Sequence, residues 1–272
     1  MRIINRRPGH GLSIVLSAIP FVLLISAYLI GSHLRLEVNP ADKLLPSLEQ
    51  MGNAIYEYVF VPEKRSGDLV LVSDTVISLW RLGTAMAISV GIALVVGLPM
   101  GLIPWIRELL SPFIAVFSLI PPITVLPILF IIVGLDEASK IALIVVGTLP
   151  IMARAVALAV EDIPREMLTK AQTLGASTWQ LTLRVVLPQV LPRLIVATRF
   201  ALVPAWIFLI SAEAIAATGG LGYRIFLVRR FLAMDVILPY VAWITLLAWM
   251  MDTLLARLQR RAFPWFALEK SA

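Results

Sequence analysis

The stretch Leu82–Trp105, LGTAMAISVGIALVVGLPMGLIPW, runs for 24 residues without a charged side chain. Wound as an α-helix it would be about 36 Å long, enough to cross a hydrocarbon layer of roughly 30 Å. Five further stretches of about 20 mostly apolar residues qualify as spans: Leu12–Ile30, Pro112–Leu135, Ile141–Val160, Leu194–Ala217 and Val236–Leu258. Apolar residues make up 60% of the 272, charged residues 15%, and the mean hydropathy is +0.92. A soluble domain is about 45–50% apolar and about a quarter charged. The expected fold is therefore an all-α integral membrane protein with about six transmembrane helices.

Charge and rare residues exclude several functions. The formal charge is +6, but the basic residues lie mostly between the apolar runs, which is the pattern of retention on the cytoplasmic side and not of nucleic-acid binding. Cysteine is absent, so thiol redox chemistry and thiolate metal sites are excluded. The two histidines, His10 and His33, have no partners at metal-ligand spacing. No set of acid, base and nucleophile converges to suggest a membrane enzyme, and no cofactor is implied. An ion-gradient-driven transporter would be expected to show inverted repeats with paired broken helices, which are not evident in the sequence.

Arg2, Arg6 and Arg7 before the first apolar run also fit a signal peptide. No small-residue cleavage pattern follows Ile30, so the run is read as an uncleaved first helix. With the N-terminus cytoplasmic, 14 basic residues fall on inner segments and 8 on outer ones, Lys64 and Arg65 among the latter, with Arg81 at a helix entrance. Both termini are then cytoplasmic. Between the first two spans, Leu48, Met51, Ile55 and Val59 recur at helical spacing opposite Glu49, Gln50, Asn53 and Glu57. The segment from Ser47 to Phe60 is thus expected to be an amphipathic helix lying on the outer surface. These features divide the chain into 1–68, the first helix and its external segment, and 69–272, the main helical core.

The long polar interval 161–193 is expected to carry two short helices. The first starts near Pro164, has Glu166 in its first turn and ends on Gly175 in a left-handed cap. Ser177 or Thr178 caps the second, Trp179 to Val186, which Pro188 should stop. Within this interval Thr169, Lys170 and Ala171, then Gly175, then Val185, Leu187 and Pro188 resemble the loop signature of binding-protein-dependent ABC importer permeases: Glu-Ala-Ala, three residues, Gly, nine residues, Ile-x-Leu-Pro. Thr169 replaces the family's glutamate and Lys170 its first alanine, while Glu166 lies one turn earlier on about the same face.

The resemblance extends from about Leu69 to Arg261. Ser118 to Pro127, Gly134 to Lys140 and Ala212 to Ala216 look like the nitrate, sulfonate, taurine and bicarbonate branch. It implies a multi-pass inner-membrane permease paired with a second copy, two ATP-binding cassette subunits and an extracytoplasmic solute-binding protein. It also implies that the interval 161–193 is the coupling loop, with Glu166, Thr169, Lys170, Ala171, Gly175, Ala176, Leu187 and Pro188 facing the ATPase. The permease itself would be non-catalytic.

Three groups of residues are candidates for the solute route and its mouth. Pro121, Pro122 and Pro127 interrupt an apolar span, so the segment either lines the path or is a packed kink. Glu213, with Ser211 beside it and Trp206 two turns earlier, is either part of the pathway or held by a structural partner such as Arg199 or a backbone donor. Arg199 alternatively snorkels. A pathway Glu213 would favour a urea- or guanidine-like solute, whereas the branch resemblance favours small anions. Gly83, Gly91, Gly97 and Gly101 are expected to permit close helix packing. Arg224, Arg229 and Arg230 fall on the outer side against the charge bias. They either dock the binding protein, or Arg229 and Arg230 meet lipid phosphates or Asp235.

Overall fold

A computed structural model describes residues 9–40, 42–63 and 67–269, with the side chains of His10 and of 267–269 left aside. Arg2, Arg6, Arg7, Lys64, Arg65 and Lys270, which enter the charge count, lie outside the described residues. The chain is helical: α1 His10–Val38, α2 Leu48–Phe60, α3 Val70–Leu102, α4 Pro104–Phe117, α5 Pro122–Val133, α6 Glu137–Glu161, α7 Arg165–Thr173, α8 Thr178–Leu181, α9 Leu187–Ala216, α10 Leu221–Val228, α11 Met234–Ala262 and α12 Pro264–Glu269. Among the described residues five helices are long and apolar enough to cross a membrane, or six if the bent pair α4–α5 forms one span.

The described residues fall into two compact units, one holding those from 9 to 69 together with 228–241, the other 70–227 and 242–269. In the first, the turn after α1 folds back on that helix: the Tyr28 hydroxyl donates to Pro46 O at 2.6 Å and Ser32 Oγ to Leu45 O at 3.0 Å. Ser47 and Gln50 then form a reciprocal cap that starts α2. This helix packs through Ala54 and Tyr58, whose ring meets Tyr240 edge-on, while Leu48 and Ile55 from the expected apolar face stay exposed.

The second unit is built on α3, α6 and α9. Leu82, Ala85, Ala93, Leu143, Ile144, Met152, Val156, Ala205 and Leu209 are fully buried between them. Small residues let the backbones approach. A Cβ at Gly97 would stand 2.6 Å from Val156 Cβ, and one at Gly101 2.5 Å from Val160 Cβ. A Cβ at Gly83 or Gly91 would meet nothing within 4 Å, so only two of the four glycines serve close packing. Ser89 and Thr148, both buried, join α3 to α6 through a 2.8 Å hydroxyl bond. Outward, Phe200, Val203, Ile131 and Ile132 are largely exposed, as side chains that face lipid would be.

Three expectations change. The second span starts at Val70, not Leu82, which puts Arg81 inside a helix and not at its entrance. The third is not one helix: α4 and α5 meet at 98° across Ser118 to Pro121. Two successive prolines supply no N–H donor, and each disfavours helix in the residue before it, so the chain bends there instead of kinking. Finally, Pro188 does not stop a helix. Residues 178–216 run as one span of 39 residues through a π-turn, Thr182–Val186, in which Leu187 N–H bonds to Thr182 O. The wider turn moves backbone carbonyls away from the proline ring.

Candidate functional site

At the end of the core away from the 161–193 interval, charged residues of four helices meet. Asp74, Ser78 and Arg81 lie on α3 at spacings of four and three, one buried polar stripe near the start of the helix. Glu213 near the end of α9 is fully buried. Ser78 Oγ donates to its Oε1 at 2.7 Å, Arg81 NH1 donates to the same oxygen at 2.8 Å, and Gly222 N–H donates to Oε2 at 2.8 Å. Glu137 and Lys140 join from the first turn of α6: Arg81 presents its Nε and NH2 as a fork to Glu137, and Lys140 Nζ lies 3.0 Å from Glu137 Oε1. Arg224 Nε closes the set on Asp74 Oδ2 at 2.8 Å.

The cluster also seats α10. Its first backbone donors are taken by side chains from other helices: Gly220 N–H by Asp74, Leu221 N–H by Ser78 and Gly222 N–H by Glu213. Arg81 NH1 donates to Gly219 O at 2.8 Å. Two buried carboxylates thus stand at a helix N-terminus, where the dipole favours negative charge. Glycine is required here: Gly220 has φ 119°, and a Cβ on it would lie 2.5 Å from Glu213 Oε1.

Sequence reasoning named Glu213 but gave it Arg199 as a possible partner. Arg199 instead makes a two-pronged pair with Asp252 of α11, at 2.7 and 2.8 Å, and so does more than snorkel. Arg224 is committed to buried Asp74 and is only 15% exposed, so of the three basic residues considered for docking only Arg229 and Arg230 are open to solvent. Asp74, Ser78, Arg81, Glu137 and Lys140 were missed as a group, although the α3 stripe was legible.

Of the other pathway candidates, Trp206 is 6% exposed and its indole N–H has no hydrogen-bond partner among the described residues. Ser211 turns its hydroxyl onto Ile207 O of its own helix. Pro121 and Pro122 stand at the α4–α5 break and Pro127 within α5. That helix touches α9 beside Glu213, through Leu126 packed with Leu143 and Ala212.

The other candidate region is the interval 161–193. Helix α7 ends in a Schellman motif: Ala176 N–H bonds to Ala171 O and Gly175 N–H to Gln172 O, with Gly175 at φ 82°. Ser177, and not Thr178, caps α8, again with a reciprocal glutamine, Gln180. The tip is apolar and uncovered: Leu174 is 88% exposed and Trp179 70%. Glu166, Thr169, Lys170 and Gly175 are exposed, while Ala171, Ala176, Leu187 and Pro188 are half-buried. Arg193–Asp162 at 2.6 Å and Arg107–Glu161 at 2.8 Å tie the end of α6 to α9 and α4.

Comparison with known proteins identifies the family. Residues 89–267 match the family described as binding-protein-dependent transport system inner membrane component. The taurine transport system permease protein of Escherichia coli K12 is 36% identical over 198 residues, 73% of this chain and 72% of its own. The riboflavin transport system permease protein of Chloroflexus aurantiacus is 31% identical over 166 residues, 61% of this chain and 62% of its own. A crystal form of the MetNI methionine ABC transporter, inward facing, has a chain matching with TM-score 0.60 at 23% identity, over 71% of this chain and 97% of that one, a likeness of fold. The choice between ATP-driven and gradient-driven transport is thereby answered, and the chain belongs to the binding-protein-dependent inner membrane components as the permease subunit of an ABC importer.

Proposed function

We propose that this permease imports a small organic oxyanion of the sulfonate class, and that it does no covalent chemistry. It works with a second copy of itself, two ATP-binding cassette subunits and an extracytoplasmic solute-binding protein. The observation that carries the solute class is the similarity to the Escherichia coli taurine permease along nearly three quarters of the chain. Glu213 supports it from the other side: sealed and fully hydrogen-bonded, it offers no free carboxylate to a cationic or amide solute. The basic-residue bias supports an orientation in the inner membrane with both termini and the 161–193 loop cytoplasmic and the Arg81 cluster at the outer end. The exposed Leu174 and Trp179 then form the tip that enters the ATPase, on a core running from about residue 69 to 272.

The test is uptake by proteoliposomes holding the complete importer with its binding protein. ATP-dependent accumulation of labelled taurine or another alkanesulfonate is expected. Transport of riboflavin or an amide in place of every sulfonate overturns the solute class.

A further inference from the structure

The cluster around Arg81 contains one member unlike the rest. Side-chain exposure is 3% for Arg81 and Asp74, 4% for Lys140, 0% for Glu213 and 15% for Arg224, but 56% for Glu137. Two buried cations therefore sit behind a single exposed carboxylate. Arg81 stays in place without it, because NH1 is held by Glu213 and Gly219 O. Lys140 is under-used: an ammonium has three donors, and among the described residues this one makes one hydrogen bond, to Glu137. A buried donor normally finds partners.

We propose that Arg81 and Lys140 form a receptor for an oxyanion, and that the Glu137 carboxylate is its resident occupant, exchanged for the sulfonate head of the solute during transport. The proposal rests on the solute class proposed above. The guanidinium fork that grips two carboxylate oxygens grips two sulfonate oxygens equally well. A sulfonate brings a third oxygen, which reaches a spare donor of Lys140. Charge also balances. Without Glu137, Arg81 and Lys140 face Glu213, and 2 − 1 leaves one positive charge for the incoming anion. Anion replaces anion, so the buried network never holds an uncompensated charge. Glu137 is placed to move, as the first residue of α6 after the turn at Gly134, whose φ is 93°. Competition from a tethered carboxylate also weakens net binding, which lets a transported solute leave.

The test uses the whole importer in lipid nanodiscs and follows its melting temperature during titration with methanesulfonate, with urea as the neutral control. Glu137→Gln removes the resident anion and keeps the side-chain shape. The variant is expected to show saturable stabilisation by methanesulfonate at concentrations at least tenfold lower than wild type, with no response to urea. Adding Lys140→Gln should abolish the response. If Glu137→Gln does not assemble, Glu137→Asp, which shortens the tether, carries the same titration.

Equal responses of variant and wild type, or a response that survives Lys140→Gln, overturn the proposal. Nanodiscs of phosphatidylcholine and phosphatidylglycerol separate the sources of the oxyanion. If the anionic lipid suppresses the response, the receptor belongs to a headgroup and the solute assignment falls. Wild-type taurine uptake is read separately. A methanesulfonate response without uptake of taurine or any other alkanesulfonate sinks the solute class and leaves only an oxyanion receptor, while uptake without the response sinks the exchange alone.

Discussion

Arg81 and Glu213, 132 residues apart in sequence, meet at 2.8 Å in the core with 3% and 0% of their side chains exposed. Removing Arg81 strands the Glu213 carboxylate where water cannot reach it, at about 3–5 kcal/mol, and removing Glu213 takes the acceptor from Ser78, Arg81 NH1 and Gly222 N–H at once. Glu213→Ala is therefore expected to lower the melting temperature and yield of the purified importer severely. Arg81→Met combined with Glu213→Gln should cost less than the two single changes added together. Additive losses would mean that the pair is not coupled.

The four glycines of α3 should separate by face. Gly91→Ala meets open space and is expected to stabilise by about 0.5–1 kcal/mol through helix propensity. Gly97→Ala collides with Val156 and should cost about 1–3 kcal/mol. Thermal unfolding of the two variants in one detergent decides it, and equal effects would contradict the α3–α6 contact.

At Gly175 the constraint is the backbone and not the space, since a Cβ there meets nothing within 4 Å. Gly175→Val should weaken ATPase association or abolish solute-stimulated ATP hydrolysis, because a β-branched residue resists positive φ. Gly175→Asn, which tolerates that region, should retain most of the coupling. Equal loss in both would remove the role of the cap.

The orientation can be read by labelling, because the chain has no native cysteine. Lys43→Cys, on the exposed turn before α2, should react with an impermeant maleimide from outside the cell. Gln172→Cys on α7 should react only after permeabilisation. The reverse pattern inverts the topology.

Arg229 and Arg230, exposed on the turn Arg229–Phe231, are expected to steer the binding protein. Replacing both with Glu should raise the concentration of loaded binding protein needed for half-maximal transport and shrink its salt dependence, with basal ATP hydrolysis near normal. Lower transport at unchanged binding-protein dependence would place their role within the permease.

Features set by near neighbours along the chain are legible in the sequence alone. The apolar runs, the cap at Ser177 or Thr178, the turn at Gly175 and the spacing from Ala171 to Pro188 depend on residues a few positions apart, whose chemistry acts through the local backbone. The same reasoning goes astray where local rules meet context. Pro188 is expected to end a helix, but a π-turn absorbs it. Pro121 and Pro122 are expected inside one span, and they separate two helices. The α3 stripe of Asp74, Ser78 and Arg81 is readable as periodicity, yet a span begun at Leu82 leaves it out.

What the sequence by itself determined is the class of protein and its loop. Hydrocarbon tolerates only backbone that satisfies its own hydrogen bonds, so long apolar runs must be helices whatever surrounds them. Pairing was decided only by the tertiary structure. A buried charge takes whichever opposite charge the packing brings within reach, and nothing local to Glu213 distinguishes Arg199, 14 residues earlier, from Arg81 on another helix. Close packing of α3, α6 and α9 puts Arg81 against Glu213 and leaves Arg199 to Asp252.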